Sequence, residues 1–156
     1  MSPALLLLLA IYAAIGLVVS MSAHVLALAG EQPGGTGLFF ALHAGIFPLW
    51  IPVVLLGRKV TSDASKKKFW NVATTESPRW LRYLALGLFV YALINFALFI
   101  KNAPDRKHRS GPPPAVVWRG FSGHWMAFYS AGLLIVVSAY RRSQLASPLI
   151  SKNANK

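Results

Sequence analysis

Four long apolar segments constrain the fold of this chain more than any other feature. Each contains about 20 residues or more, the length at which an α-helix crosses the roughly 30 Å hydrocarbon core of a bilayer. Hydrocarbon offers the backbone no hydrogen-bond partner, so segments of this length are expected to be helices rather than strands. The segments comprise residues 4–29, 37–57, 80–100 and about 118–140.

The composition agrees with an all-α integral membrane protein. Of the 156 residues, 55% are hydrophobic and 13% are charged, whereas soluble domains carry about 25% charged residues. All four acidic residues and nearly all sixteen basic residues lie between the apolar segments. We therefore attribute the formal net charge of +12 to anionic lipid headgroups and not to nucleic acid. Disulfides and thiolate ligands are excluded, because the sequence contains no cysteine.

The distribution of Lys and Arg predicts how the segments are oriented. The second connection and the tail hold eleven of these residues, at positions 58, 59, 66, 67, 68, 79, 82, 141, 142, 152 and 156. The opposite side holds five, at positions 101, 106, 107, 109 and 119. The basic side of a membrane protein faces the cytoplasm. We therefore predict an antiparallel four-transmembrane-helix bundle in the cell (inner or plasma) membrane, with both termini in the cytoplasm.

The first segment has an alternative interpretation. The sequence ALAGE at residues 27–31 resembles a signal-peptidase site that follows an apolar run. However, the run is longer than the 7–15 residues of an ordinary signal peptide, and no charged region precedes it. We expect a retained helix; cleavage would leave three spans with the same sidedness.

The segments between and after the helices have distinct compositions. Residues 58–79 form a basic cytoplasmic connection, in which Lys66 to Trp70 are typical of a membrane-surface segment near anionic headgroups. Residues 101–117 form a proline-rich outer connection, and residues 143–156 a polar tail.

Local sequence features predict three details of the helices. Ser77 is expected to cap the third helix, with Pro78 as its first residue. Pro48 and Pro52 are expected to kink the second helix, because each removes a backbone hydrogen bond. A stripe of small residues on the first helix is expected to allow close helix packing; its members are Ala13, Gly16, Ser20, Ala23 and Ala27.

Three histidines and one asparagine lie at the same predicted depth, one on each helix. His24 and Asn95 each lie five residues before the outer end of their segment. His43 and His124 each lie six residues after the outer start of theirs. At 1.5 Å per residue, all four are about 8–9 Å below the outer helix ends. Ionisable groups within membrane spans are often functional, so these four residues form the candidate site.

Two interpretations of this polar layer remain open. Its members can be interhelical hydrogen-bonding groups, each pair contributing about 0.6 kcal/mol. The protein would then be a non-enzymatic subunit that binds another membrane protein or a second copy of itself. Alternatively, two of His24, His43 and His124 can hold a b-type haem, or all three can bind copper or zinc. Asn95, Tyr91, Tyr129 and the histidines can also donate hydrogen bonds to a carbonyl of a quinone or a lipid.

Catalysis by known hydrolytic or nucleotide-dependent mechanisms is not indicated. The spans contain no Asp or Glu to orient a histidine, and the chain has no G-x-S-x-G motif. Phosphate loops and dinucleotide fingerprints are also missing from the sequence. We therefore assign no catalytic residue.

Overall fold

The computed structural model describes residues 1–61, 69–101 and 114–154, and every regular element within them is an α-helix. Lys66 to Lys68 and most of the proline-rich connection lie outside the described residues. The helices are α1 (Pro3–Leu28), α2 (Thr36–Ala44), α3 (Ile46–Thr61), α4 (Phe69–Thr74), α5 (Arg79–Lys101) and α6 (Ala115–Ala154).

The four predicted helices are confirmed. The described residues contain four helical stretches that are long and apolar enough to cross a membrane: Pro3–Leu28, Thr36–Arg58, Arg79–Lys101 and Ala115–Leu145. Their ends agree with the predicted segments to within a few residues, except that α6 continues to Ala154. Much of the predicted polar tail is therefore helical.

α6 is the central helix of the fold. α1, α3 and α5 all contact α6, and the α1 and α5 contacts are the most extensive. In the most apolar part of each span, about 67% of the α6 residues are buried inside the protein, against 22% for α1 and 17% for α5. Trp118 and Trp125 of α6 are fully buried. The outer faces of α1 and α5 are therefore exposed.

The small-residue stripe of α1 is buried, as the sequence predicts. Gly16 shows what the stripe permits. A Cβ atom at this position would lie 2.5 Å from Cδ1 and 2.7 Å from Cζ of Tyr129 on α6. Only a residue without a side chain fits against this ring, so the stripe sets the close approach of α1 and α6.

The second span is broken at Gly45, which differs from the predicted kink at its prolines. α2 ends at Ala44 and α3 begins at Ile46. The break lies one turn ahead of Pro48, whose ring clashes with the carbonyl of the residue four positions earlier, Ala44, in a continuous helix. Pro52 lies inside α3, which continues through it. Pro48 thus interrupts the helix in the turn that precedes it.

Two tyrosines from other helices supply hydrogen bonds at this break. The Tyr12 hydroxyl of α1 donates to the Gly45 carbonyl over 2.8 Å. The Tyr129 hydroxyl of α6 donates to the Leu42 carbonyl over 3.0 Å. Carbonyls beside a break in a membrane helix must find partners within the protein. α1 and α6 together therefore hold the broken helix in place.

The start of α5 differs from the sequence prediction. α5 begins at Arg79, and the Pro78 carbonyl accepts the first backbone N–H groups of the helix, from Leu81 and Arg82. Ser77 does not cap the helix, because its hydroxyl donates to the Leu134 carbonyl of α6 over 2.6 Å. The predicted cap is wrong, and the serine instead ties the start of α5 to α6.

The short helix α4 lies in the basic connection and is attached to the bundle by two arginines. Arg142 of α6 donates to the Val72 carbonyl over 2.7 Å. Arg82 of α5 donates to the Thr75 carbonyl just after α4. α4 therefore has a defined position beside the ends of α5 and α6.

Candidate functional site

His24 is a buried residue of α1, 4% exposed, and both of its ring nitrogens have partners. Nδ1 lies 2.8 Å from Oγ of Ser122 on α6. Nε2 lies 2.5 Å from the Tyr91 hydroxyl on α5. One imidazole ring thus links three helices, and we call His24, Tyr91, Ser122 and Asn95 the His24 cluster.

The hydrogen-bond directions in this cluster follow from Ser122. Its hydroxyl donates to the Arg119 carbonyl over 3.2 Å, so its oxygen acts as an acceptor toward His24. Nδ1 of His24 then carries the proton and donates to Ser122, while Nε2 accepts the Tyr91 hydroxyl proton. This assignment uses each hydrogen once and makes the ring a neutral imidazole. Neither nitrogen is left for a metal or a substrate.

Asn95 of α5 joins the same cluster through the backbone of α6. Its side-chain Nδ2 donates to the Arg119 carbonyl over 2.8 Å and lies 3.5 Å from the Gly120 carbonyl. The Arg119 carbonyl therefore accepts from both Asn95 and Ser122. Asn95 is 3% exposed, so this amide is a buried cross-link between α5 and α6.

His43 of α2 and His124 of α6 form a separate pair, which we call the His43–His124 pair. Their rings are nearly parallel, at 13° to each other, with centroids 6.4 Å apart. Trp125 donates its indole N–H to Nδ1 of His43 over 3.3 Å. An indole nitrogen can only donate, so the His43 proton resides on Nε2. Phe128 packs on His124 with centroids 4.5 Å apart, and both histidines are half-buried.

The structure thus divides the four predicted residues into two groups. His24 and Asn95 lie in a cluster that satisfies its own hydrogen bonds. His43 and His124 lie next to each other and are in contact with aromatic side chains. Among the described residues, no group of three His, Cys, Asp or Glu side chains is arranged to hold a metal ion. The predicted three-histidine copper or zinc site is not assembled in this arrangement, and a haem axial bond from His24 would require it to give up a hydrogen bond.

Ser122 and Trp125 are the site residues that the sequence interpretation did not identify. Ser122 is two residues from His124, and on a helix that spacing points the two side chains apart. Its partner is instead a histidine of another helix. The available signal was the spacing of Trp118, Ser122, Trp125 and Tyr129, which recur every three or four residues along one helix face. All four are buried, so this is the face of α6 that packs against the other helices.

Comparison of the chain with models of known protein families, with curated proteins and with solved structures found no match.

Replacing Tyr91 with phenylalanine tests the His24 cluster. The ring remains, but the hydroxyl that donates to Nε2 of His24 is removed. We expect a loss of about 0.6 kcal/mol in unfolding free energy, and no more than about 2 kcal/mol. The measurement is reversible unfolding in mixed micelles of a mild detergent and dodecyl sulfate.

Tyr83 provides the matched control, because it lies on the same helix and is 72% exposed. Tyr83→Phe is expected to leave the stability unchanged. In a His24→Ala background, Tyr91→Phe should lose most of its effect, because its partner is gone. An effect of the same size with and without His24 would contradict the assigned hydrogen bond.

Proposed function

We propose that this chain is a small non-enzymatic subunit of a membrane assembly, which binds a transmembrane helix of another protein or of a second copy. The observation that carries this proposal is the His24 cluster. Its polar groups satisfy one another between α1, α5 and α6, so they act as interhelical cross-links. What the bundle offers to a partner is its apolar outer surface.

The outer face of α1 supports a helix as the partner. Exposed residues on this face recur at alternating intervals of three and four, the repeat of helices that pack side by side. Most of them are β-branched, and one is a serine. We call this face the α1 seam; its members are Leu8, Ile11, Ile15, Val18, Ser22 and Val25.

The proposal includes an arrangement in the membrane. We propose that the four spans alternate in direction in the cell membrane, with both termini and α4 on the cytoplasmic side. The support is the excess of Lys and Arg in the second connection and the tail. The contact of α1 with α6 is consistent with a retained first helix.

Photo-cross-linking in native membranes tests the partner. We expect benzoylphenylalanine at Val18, a seam residue that is 62% exposed, to give a discrete adduct with one protein or with a second copy. The same probe at Leu86 on α5, which is 61% exposed and outside the seam, is the matched control and should give lipid adducts. Lipid adducts alone at Val18 as well would contradict the proposal.

Single cysteines test the arrangement without background, because the natural chain has none. A membrane-impermeant maleimide applied to intact cells or spheroplasts should label Gly35→Cys in the first connection. Asn71→Cys and Gln144→Cys should react only after the membrane is opened. All three positions are exposed. The opposite labelling pattern would show that the orientation is inverted.

A second candidate function is a redox protein that holds b-type haem through His43 and His124. The closeness of these two rings favours this pair over any that includes His24. The test is the dithionite-reduced absorption spectrum of protein purified from haem-replete cells. Under the first proposal, the spectrum has no haem bands. Reduced bands that are lost in His43→Ala and His124→Ala, yet retained in His24→Ala, would overturn the first proposal in favour of the second.

A further inference from the structure

A cavity of about 420 Å³ opens between α3, α5 and α6, beside α4. Its size falls within the range of about 300–1,000 Å³ that is usual for small-molecule sites. Aromatic and aliphatic side chains form nearly all of its lining, including Trp50, Phe89 and Phe128. The lining contains one charged residue, Arg82. The cavity is therefore an apolar space with a single cation.

The position of Arg82 gives the cavity a polar end. Arg82 lies in the first turn of α5, whereas Phe89 lies seven residues deeper, or about 10 Å along the helix. Trp70 of α4 also lines the cavity and is more than half exposed. Tryptophan is enriched where a membrane meets water. The cavity thus extends from the level of the headgroups into the span.

No carboxylate of the described residues pairs with Arg82. Arg82 donates one hydrogen bond to the Thr75 carbonyl, and its Nε is buried without a hydrogen-bond partner. It makes no ion pair within the part of the chain that the structure describes. Arg79 and Arg142 lie on the same basic side. An anion is therefore the ligand that complements this end.

A second donor of the lining also lacks a partner. The indole N–H of Trp50 is buried and donates to no acceptor among the described residues. A buried donor without a partner costs about 1–3 kcal/mol. Phe128 packs edge-to-face on this indole, and an aromatic ring is only a weak acceptor.

We propose that this cavity binds one anionic phospholipid, with its phosphate on Arg82 and an acyl chain along the apolar lining. The planar guanidinium group of arginine can donate two parallel hydrogen bonds to phosphate oxygens. Basic pockets between transmembrane helices on the cytoplasmic side are known to bind anionic headgroups. A neutral quinone would leave the arginine charge uncompensated. The site is separate from the α1 seam and does not depend on what binds there.

Native mass spectrometry of the detergent-purified full chain tests this site. The probes are phosphatidylglycerol and phosphatidylcholine with identical acyl chains. We expect phosphatidylglycerol to bind more tightly, and Arg82→Gln to weaken its binding about fivefold, because one basic residue near a membrane surface contributes about 1 kcal/mol. Phosphatidylcholine carries the same phosphate, but its choline cation balances the charge, so its binding should weaken less than that of phosphatidylglycerol. Arg82→Lys, which keeps the charge, should retain most of the preference.

Two further variants separate this site from general attraction to a basic surface. Arg79→Gln removes an exposed arginine outside the lining and should change phosphatidylglycerol binding less than twofold. Ala131→Trp places a large ring in the cavity and should weaken binding of both lipids. Each variant is compared with the natural chain by thermal unfolding, so that a folding defect is recognised. Equal losses in Arg82→Gln and Arg79→Gln would overturn the proposal.

Competition experiments distinguish the remaining ligands. Inorganic phosphate at millimolar concentration should not displace phosphatidylglycerol, because it cannot use the apolar lining. Displacement by phosphate would show that Arg82 is only an anion site. Displacement by a quinone that binds Arg82→Gln as well as the natural chain would assign the cavity to the quinone. Either outcome would overturn the lipid proposal.

Discussion

A backbone carbonyl inside hydrocarbon has no water to accept a hydrogen bond from, and the rest of this structure depends on that constraint. The second span is interrupted at Gly45, between α2 and α3. The hydroxyl groups of Tyr12 on α1 and Tyr129 on α6 donate to backbone carbonyls at this break. Pro48 can therefore be kept in the span, because other helices support the turn that it disrupts.

The same constraint explains the central role of α6. Its Arg119 carbonyl accepts from Asn95 and Ser122, and Ser122 in turn accepts from His24. Polar side chains of α1 and α5 are thus satisfied by one helix rather than by each other alone. A helix that offers hydrogen-bond partners to two neighbours must present more than one face to the protein interior. This accounts for α6 being buried over much more of its span than α1 or α5.

Depth could be predicted from the sequence, but rotation about each helix axis could not. The rise per residue is fixed, so His24, His43, Asn95 and His124 could be assigned to one layer. Which of them meet depends on how each helix is turned, and apolar residues on every face of a span give no amphipathic signal for this. Ser122 was missed for the same reason, because its partner is on another helix. The small-residue stripe was predictable, since close packing requires small residues whatever the partner.

The contrast between satisfied and unsatisfied donors separates the parts of the protein that hold it together from the part that can bind a ligand. His24 and Asn95 are paired within the fold, so the ligand-binding capacity of the polar layer is largely used. Trp118 and Trp50 each have an unpaired indole nitrogen, but aromatic rings pack edge-to-face against both, and such rings are weak acceptors. Arg82 lines an open cavity, and no ion pair among the described residues balances its charge. A ligand gains most binding free energy where an unpaired polar group lies beside open apolar space. The cavity is therefore a better candidate for a binding site than the polar layer.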